Sequence, residues 1–218
     1  ASLDKCNKPK TFSPHPVYDH YGEKMDKKEA CAALGLDEDK RYMLFFGLVR
    51  AYKGLDWLLD AFAKVKDELK ELQLIVAGEF YEDEDKYRAQ IECNGLEDRV
   101  IIKNEFVADA DLRKYFGVSD LIVQPYKSAT QSGVTQVAFH FEKPCLVTNA
   151  GGLGEIIHHG KMCYAVEPQI DAIADALRDY YKNDRQEAFT QYLIKEKELY
   201  GWNIMSQAFY RILLHMEK

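Results

Sequence analysis

One rhythm constrains this chain more than any other feature. Short apolar runs closed by a glycine or proline alternate with stretches whose apolar residues recur at helical spacing. Tyr42–Phe46 is such a run, stopped by Gly47. Leu55, Leu58, Leu59, Phe62, Val65 and Leu69 then repeat every three or four residues, with charge on the other side, and Leu72–Ala77 is a second run stopped by Gly78. A run without polar alternation suits a strand covered on both faces; the wider spacing suits a helix with one buried side. The beat continues with a helix from Asp85 to Cys93 and a strand at Val100–Ile102. A helix capped by Asp109 or Asp111 runs to Phe116-Gly117, and a strand at Leu121–Val123 is stopped by Pro125. A helix carrying Val134, Val137, Ala138 and Phe141 follows, then strands at Cys145–Val147 and Cys163–Val166. Strand, helix, strand, repeated five or six times, predicts an α/β fold: a Rossmann-like, doubly wound parallel sheet with helices on both faces.

The flanks differ. Residues 1–22 hold three of the six prolines and read as an extended linker or arm, followed by a short helix from about Lys27 to Leu36. From about Ile170 the chain is all helix, and Met205, Ala208, Phe209, Ile212, Leu213 and Met216 form its clearest amphipathic stripe. Trp202 and Tyr180-Tyr181 are expected to pack these tail helices. The resulting division is an arm at 1–22, a sheet domain at 23–182 and C-terminal helices at 183–218.

Composition excludes some partners. A formal net charge of −7 argues against a nucleic-acid surface, although an acidic protein still binds phosphate where its cations are local. Five cysteines with no C-x-x-C spacing fit reduced thiols in a cytoplasmic protein better than a disulfide framework or a zinc site. No apolar run approaches the roughly 20 residues that span a bilayer. The start at Ala1 has no signal-peptide pattern and lacks Met, so the chain reads as a processed product or a piece of something longer.

In an open parallel sheet, ligands bind beyond the carboxyl ends of the strands, and three loops there carry suggestive residues. Gly47 to Gly54 places Arg50 and Lys53 just ahead of a helix, a forked donor beside a point charge. Lys127 to Val134 lets amides at a helix start, around Ser132, Gly133 and Val134, point at an anion. Asn149 to Glu155 holds the pair Gly151-Gly152, which permits close backbone approach. Singly, these loops are equally a solvated basic loop, a Ser or Thr N-cap and a tight turn. At one edge of one sheet they are not independent, and together they predict a phosphate grip. No G-x-G-x-x-G fingerprint or Walker motif follows a strand. His158-His159 read as surface histidines without metal spacing, and His140 as a satisfied, partly buried histidine. No metal or cofactor is expected.

The loops, with the stretches around them, resemble family 4 glycosyltransferases, also called the glycosyl transferases group 1 family, in their C-terminal half. The likeness runs through Phe45-Phe46-Gly47, Arg50, Lys53-Gly54, Leu58–Phe62, Leu74–Gly78 and Asp120–Pro125. It continues through Ser132-Gly133-Val134, Lys143-Pro144 and Gly151–Ile157, so that it covers roughly residues 40–182. It implies one half of a GT-B architecture, the domain that holds a nucleoside diphosphate sugar, which is a substrate and not a cofactor. By likeness, Arg50 and Lys53 neutralise the departing diphosphate, and the amides of Ser132, Gly133 and Val134 cradle it. Gly151 and Gly152 lie beside the donor, and Phe106-Val107 pass the base. The family often carries two glutamates whose positions fall here at Ala129 and Val137, so Gln131, Gln136 or the backbone are left to meet sugar and ribose. The basic residue often found directly after the first strand's glycine is displaced from Leu48 to Arg50. The resemblance implies a retaining glycosyltransferase of glycan or cell-surface polysaccharide synthesis, cytoplasmic and possible at the inner membrane face, its acceptor held by a missing N-terminal domain. The rival expectations are a non-catalytic nucleotide-binding or partner subunit and, against the basic first loop, a signalling domain of response-regulator type.

Overall fold

The computed structural model describes residues 16–18, 20–130, 132–154 and 157–216. The predicted apolar runs are strands: β1 (Arg41–Phe46), β2 (Leu72–Ala77), β3 (Val100–Lys103), β4 (Leu121–Gln124), β5 (Cys145–Thr148) and β6 (Tyr164–Val166). They pair in parallel in the order β3-β2-β1-β4-β5-β6. The chain winds outward from β1 through β3, then returns to the other side of β1 and winds outward again. The order therefore reverses between β1 and β4, where the loops after these strands turn away from each other and open a crevice.

Alternation along each strand feeds two apolar cores. Met43 and Phe45 of β1, Leu74 and Val76 of β2, and Leu121 and Val123 of β4 join a core with α2 (Leu55–Val65), α3 (Glu84–Cys93) and α6 (Ile170–Lys182). Tyr42, Leu44, Ile75, Ile122 and Val147 point the other way, into a core with α1 (Lys27–Leu34), α4 (Leu112–Val118) and α5 (Gly133–His140). This double burial is why the runs lack polar interruptions.

The boundaries differ from expectation in places. Helix α1 stops at Leu34 because Gly35 turns left-handed at φ 67° and donates its amide to Cys31. Helix α2 ends at Val65, yet Leu69 stays in the core because a turn returns its amide to the Val65 carbonyl. Neither Asp109 nor Asp111 caps α4. A 3-10 turn at Asp109–Asp111 leads straight into the helix, Asp111 has helical rather than extended dihedrals, and its carboxylate pairs with Lys114 at 2.6 Å.

Residues 16–18 and 20–22 lie along the domain without helix or strand, and the Val17 amide donates to the Tyr200 carbonyl at 2.8 Å. His140 is the satisfied residue expected, its ring nitrogens 2.7 and 2.9 Å from the carbonyl oxygens of Tyr18 and Gly22. Helix α7 (Gln186–Lys197) inserts Phe189 and Leu193 into the two cores. Helix α8 (Trp202–Met216) overturns part of the tail expectation. Met205, Ala208 and Ile212 are half-buried, but Trp202, Phe209 and Leu213 are exposed, so Trp202 does not pack the tail. Tyr180 and Tyr181 are buried as expected. No helix among the described residues is long and apolar enough to cross a membrane.

Candidate functional site

The three loops meet at the β1–β4 crevice, and the glycines explain how. Gly47 leaves β1 at φ 91°, and a Cβ on it would stand 3.0 Å from the Lys53 ammonium and 3.9 Å from a Val134 methyl. Lys53 and the start of α5 are therefore neighbours across the crevice. Gly54 allows the first loop to touch the second, since a Cβ there would fall 2.0 Å from the Pro125 carbonyl oxygen. The Lys127 amide donates to the Tyr52 carbonyl at 2.7 Å beside that contact. The third loop presses on the second still harder. Gly151 has φ 62°, and a Cβ on it would lie 1.8 Å from the Ala129 carbonyl oxygen.

Lys53 is the most unusual side chain in the crevice. It is only 8% exposed, and its ammonium lies 5.7 Å from the centre of the Tyr126 ring. Burial, and secondarily the charge of Arg50, lower its pKa to about 8. Among the described residues no carboxylate pairs with Lys53 or with Arg50. A buried ammonium without a counter-charge is costly, and an anion docking beside it removes that cost. Arg50 stands at the mouth, exposed, its guanidinium 4.9 Å above the Tyr81 ring. Lys127 belongs to the second loop but faces elsewhere, paired with Asp56 at 2.6 Å and lying over the Trp57 ring.

At the start of α5, Ser132 is the N-cap and its hydroxyl accepts from the Val134 amide at 3.2 Å. The N-cap and anion readings of this loop are thus compatible, because the Ser132 hydroxyl takes only the Val134 amide, and the first-turn amides of Gly133 and Thr135 have no carbonyl partner within the helix. Gly133 is exposed, and among the described residues nothing lies within 4 Å of where its Cβ would be. Tyr126 lies under this turn, its hydroxyl 3.5 Å from that of Ser132, and burial pushes its pKa up to about 12.

The remaining expected residues are placed less uniformly. Gln136 is buried, its Oε1 without a partner among the described residues, and Gln131 lies outside them. Gly152 is half-buried in the turn after Gly151. Val137 is 6% exposed within the core, and Ala129 packs beneath Gly151, so neither position offers a polar group to the crevice. Phe106 is exposed beyond β3, and Val107 packs against the α1–α4 side, beside Leu34 and Tyr115. His158 and His159 are at the surface, near Tyr192 and accepting from the Ala165 amide respectively. Among the described residues no group of three or more His, Cys, Asp or Glu side chains could hold a metal ion.

Two features escaped the sequence reading. One is the aromatic floor, Tyr126, under Lys53. The other is the Tyr81 ring against Arg50. Both follow a strand at the same edge, so extending the strand-end rule to the loop after Gly78 finds the second. The opposite edge also has a hollow, about 350 Å³, lined by Lys24, Glu142, Lys143 and Glu187. Its charges are occupied at home: Glu142 pairs with Lys24 and Lys197, and Lys143 donates to the Gly117 carbonyl at 3.2 Å. Asp120, part of the matching stretch, serves that edge too, its carboxylate accepting from the Tyr42 amide at 2.7 Å.

Comparison with known proteins gives the chain relatives in sequence and in fold. A mannosyltransferase of lipopolysaccharide core biosynthesis, LpsB of Rhizobium meliloti, is 28% identical over 139 residues, 62% of this chain and 39% of LpsB. Sucrose-phosphate synthase from Thermosynechococcus elongatus superposes with a TM-score of 0.77 at 19% identity, covering 93% of this chain and 52% of that one. Anabaena HepE in complex with UDP gives 0.76 at 19% identity over 88% of this chain and 54% of that one. The chain spans less than half the length of the curated relatives it matches, from 30% to 48%. Residues 40–183 match the model of the glycosyl transferases group 1 family, and the chain belongs to that family.

Proposed function

We propose that this chain is the donor-binding half of a retaining glycosyltransferase that moves a sugar from a nucleoside diphosphate to an acceptor in glycan or cell-surface polysaccharide synthesis. The observation that carries the reading is Lys53, buried with no carboxylate partner among the described residues at the switch point of the sheet, with Arg50 at the mouth and the α5 amides opposite. Two cations and a helix start converge where a diphosphate would lie. Charge that builds on the diphosphate as it leaves is stabilised by groups already in place, which is the electrostatic contribution Arg50 and Lys53 would make to catalysis. The amides of Ser132, Gly133 and Val134 would hold the same group. Gln131, Gln136 and the backbone at Gly151 and Gly152 would meet sugar and ribose, with Phe106 and Val107 toward the base. The acceptor would be presented by a domain outside this chain, at the cytoplasmic side, and neither metal nor cofactor is invoked. Support comes from the family and from HepE, a fold neighbour solved with UDP.

Calorimetry with UDP and GDP tests the reading. The chain should bind one of them, and changing both Arg50 and Lys53 to Ala should abolish the heat. No binding by the unmutated chain at millimolar ligand sinks the donor site. A second reading, a non-catalytic partner subunit, is favoured by Ala129 and Val137 standing where the resemblance expects carboxylates. Full-length protein inactive in sugar transfer and donor hydrolysis with every common donor would select it.

A further inference from the structure

Arg50 is steered by a loop other than its own. The segment after β1 and the segment after β2 are laced together above the sheet: the Val49 amide donates to Glu79 at 2.8 Å, and the Tyr81 amide donates to the Val49 carbonyl at 3.1 Å. The Glu82 carboxylate then accepts from the Ala51 amide, adjacent to Arg50, and from the Tyr87 hydroxyl at 3.2 Å. Both neighbours of Arg50 are thereby fixed from the β2 side. The side chain itself meets the face of Tyr81, guanidinium carbon 4.9 Å from the ring centre, on a ring that is 58% exposed.

The choice of an aromatic face has a chemical consequence. A carboxylate in Tyr81's place would also orient the guanidinium, but it would engage the forked N–H donors and cancel the charge. A ring face attracts the cation through its quadrupole and leaves the in-plane N–H groups facing outward. Glu82, the acid on the same loop, is already committed to Ala51 and Tyr87. We propose that Tyr81 is a positioning residue for Arg50, holding its guanidinium over the crevice with charge and donors free for the phosphates of a nucleoside diphosphate. This rests on the donor-site reading above.

The experiment is a double-mutant cycle read by UDP affinity in the full chain. Tyr81→Ala and Tyr81→Leu should each weaken UDP binding about two- to fivefold, the ratio that a partly exposed cation–π contact supports. Tyr81→Phe should bind as the unmutated chain does, because it keeps the ring face. In the Arg50→Ala background, Tyr81→Ala should have no further effect, since its influence runs through the guanidinium. Melting temperatures should stay together across the set, as the ring is exposed. Unchanged UDP affinity in Tyr81→Ala, or the same loss with and without Arg50, overturns the inference while leaving the donor site standing. Absence of UDP binding by the unmutated chain overturns both.

Discussion

Raising the pH should loosen the grip on a nucleoside diphosphate, and Lys53 sets where this happens. Its pKa is lowered to about 8 by burial and by Arg50. A diphosphate beside the ammonium restores the charged form, so the bound complex holds its proton well above that value. The sign follows: binding takes up a proton whenever the free lysine has lost one, and affinity falls as pH rises through about 8. At pH 7 roughly nine-tenths of the free sites are charged, at pH 9 roughly one-tenth, so UDP should bind about tenfold more weakly at the higher pH. The nucleotide contributes little, because phosphate groups complete their ionisation near pH 6. Calorimetry at constant ionic strength in buffers of different ionisation heat measures both quantities, affinity and protons. Uptake should climb from near zero at pH 7 to about nine-tenths of a proton at pH 9. Lys53→Arg, which keeps its charge throughout this range, should flatten the profile. Equal affinity at pH 7 and 9 with no proton uptake refutes the argument, since an ammonium that stays charged cannot be a buried cation with no carboxylate partner among the described residues.

Other expectations concern stability. Gly151→Ala places a methyl into the Ala129 carbonyl at a left-handed φ and should cost at least about 1 kcal/mol, a fall of about 2–4 °C in melting temperature, whereas Gly133→Ala, with open space around it, should cost less. Tyr180→Phe removes the hydroxyl that donates to the Asp120 carbonyl at 2.7 Å and should destabilise by about 1 kcal/mol in urea titration. Changing Phe209 and Leu213 together to Ser should leave urea stability within about 0.5 kcal/mol per site, because both side chains are already exposed.

How legible the molecule was depends on what each element responds to. Strands β1, β2 and β4 were readable because burial on both faces removes every polar residue from runs such as Met43–Phe45 and Leu74–Val76. Helix ends were less readable: a carboxylate at Asp111 looks like a cap in sequence, but capping needs extended dihedrals that the preceding 3-10 turn denies it. Arg50, Lys53 and Ser132 could be nominated because strand-end loops at a parallel sheet are few. Their environment could not be, since the Tyr126 ring below Lys53 is 73 residues further along the chain and depends on the β1–β4 pairing. The exposed face of α8 was also invisible, because an apolar stripe has the same spacing whether this domain covers it or leaves it open.

The bond between the Val17 amide and the Tyr200 carbonyl has a mechanical consequence. The incoming arm and the segment leading into α8 are hydrogen-bonded to each other at the surface, and the same arm is held to α5 by His140. Force applied through the two ends of the described chain would load this tie, with the His140 contacts of Tyr18 and Gly22, before it loaded the strands.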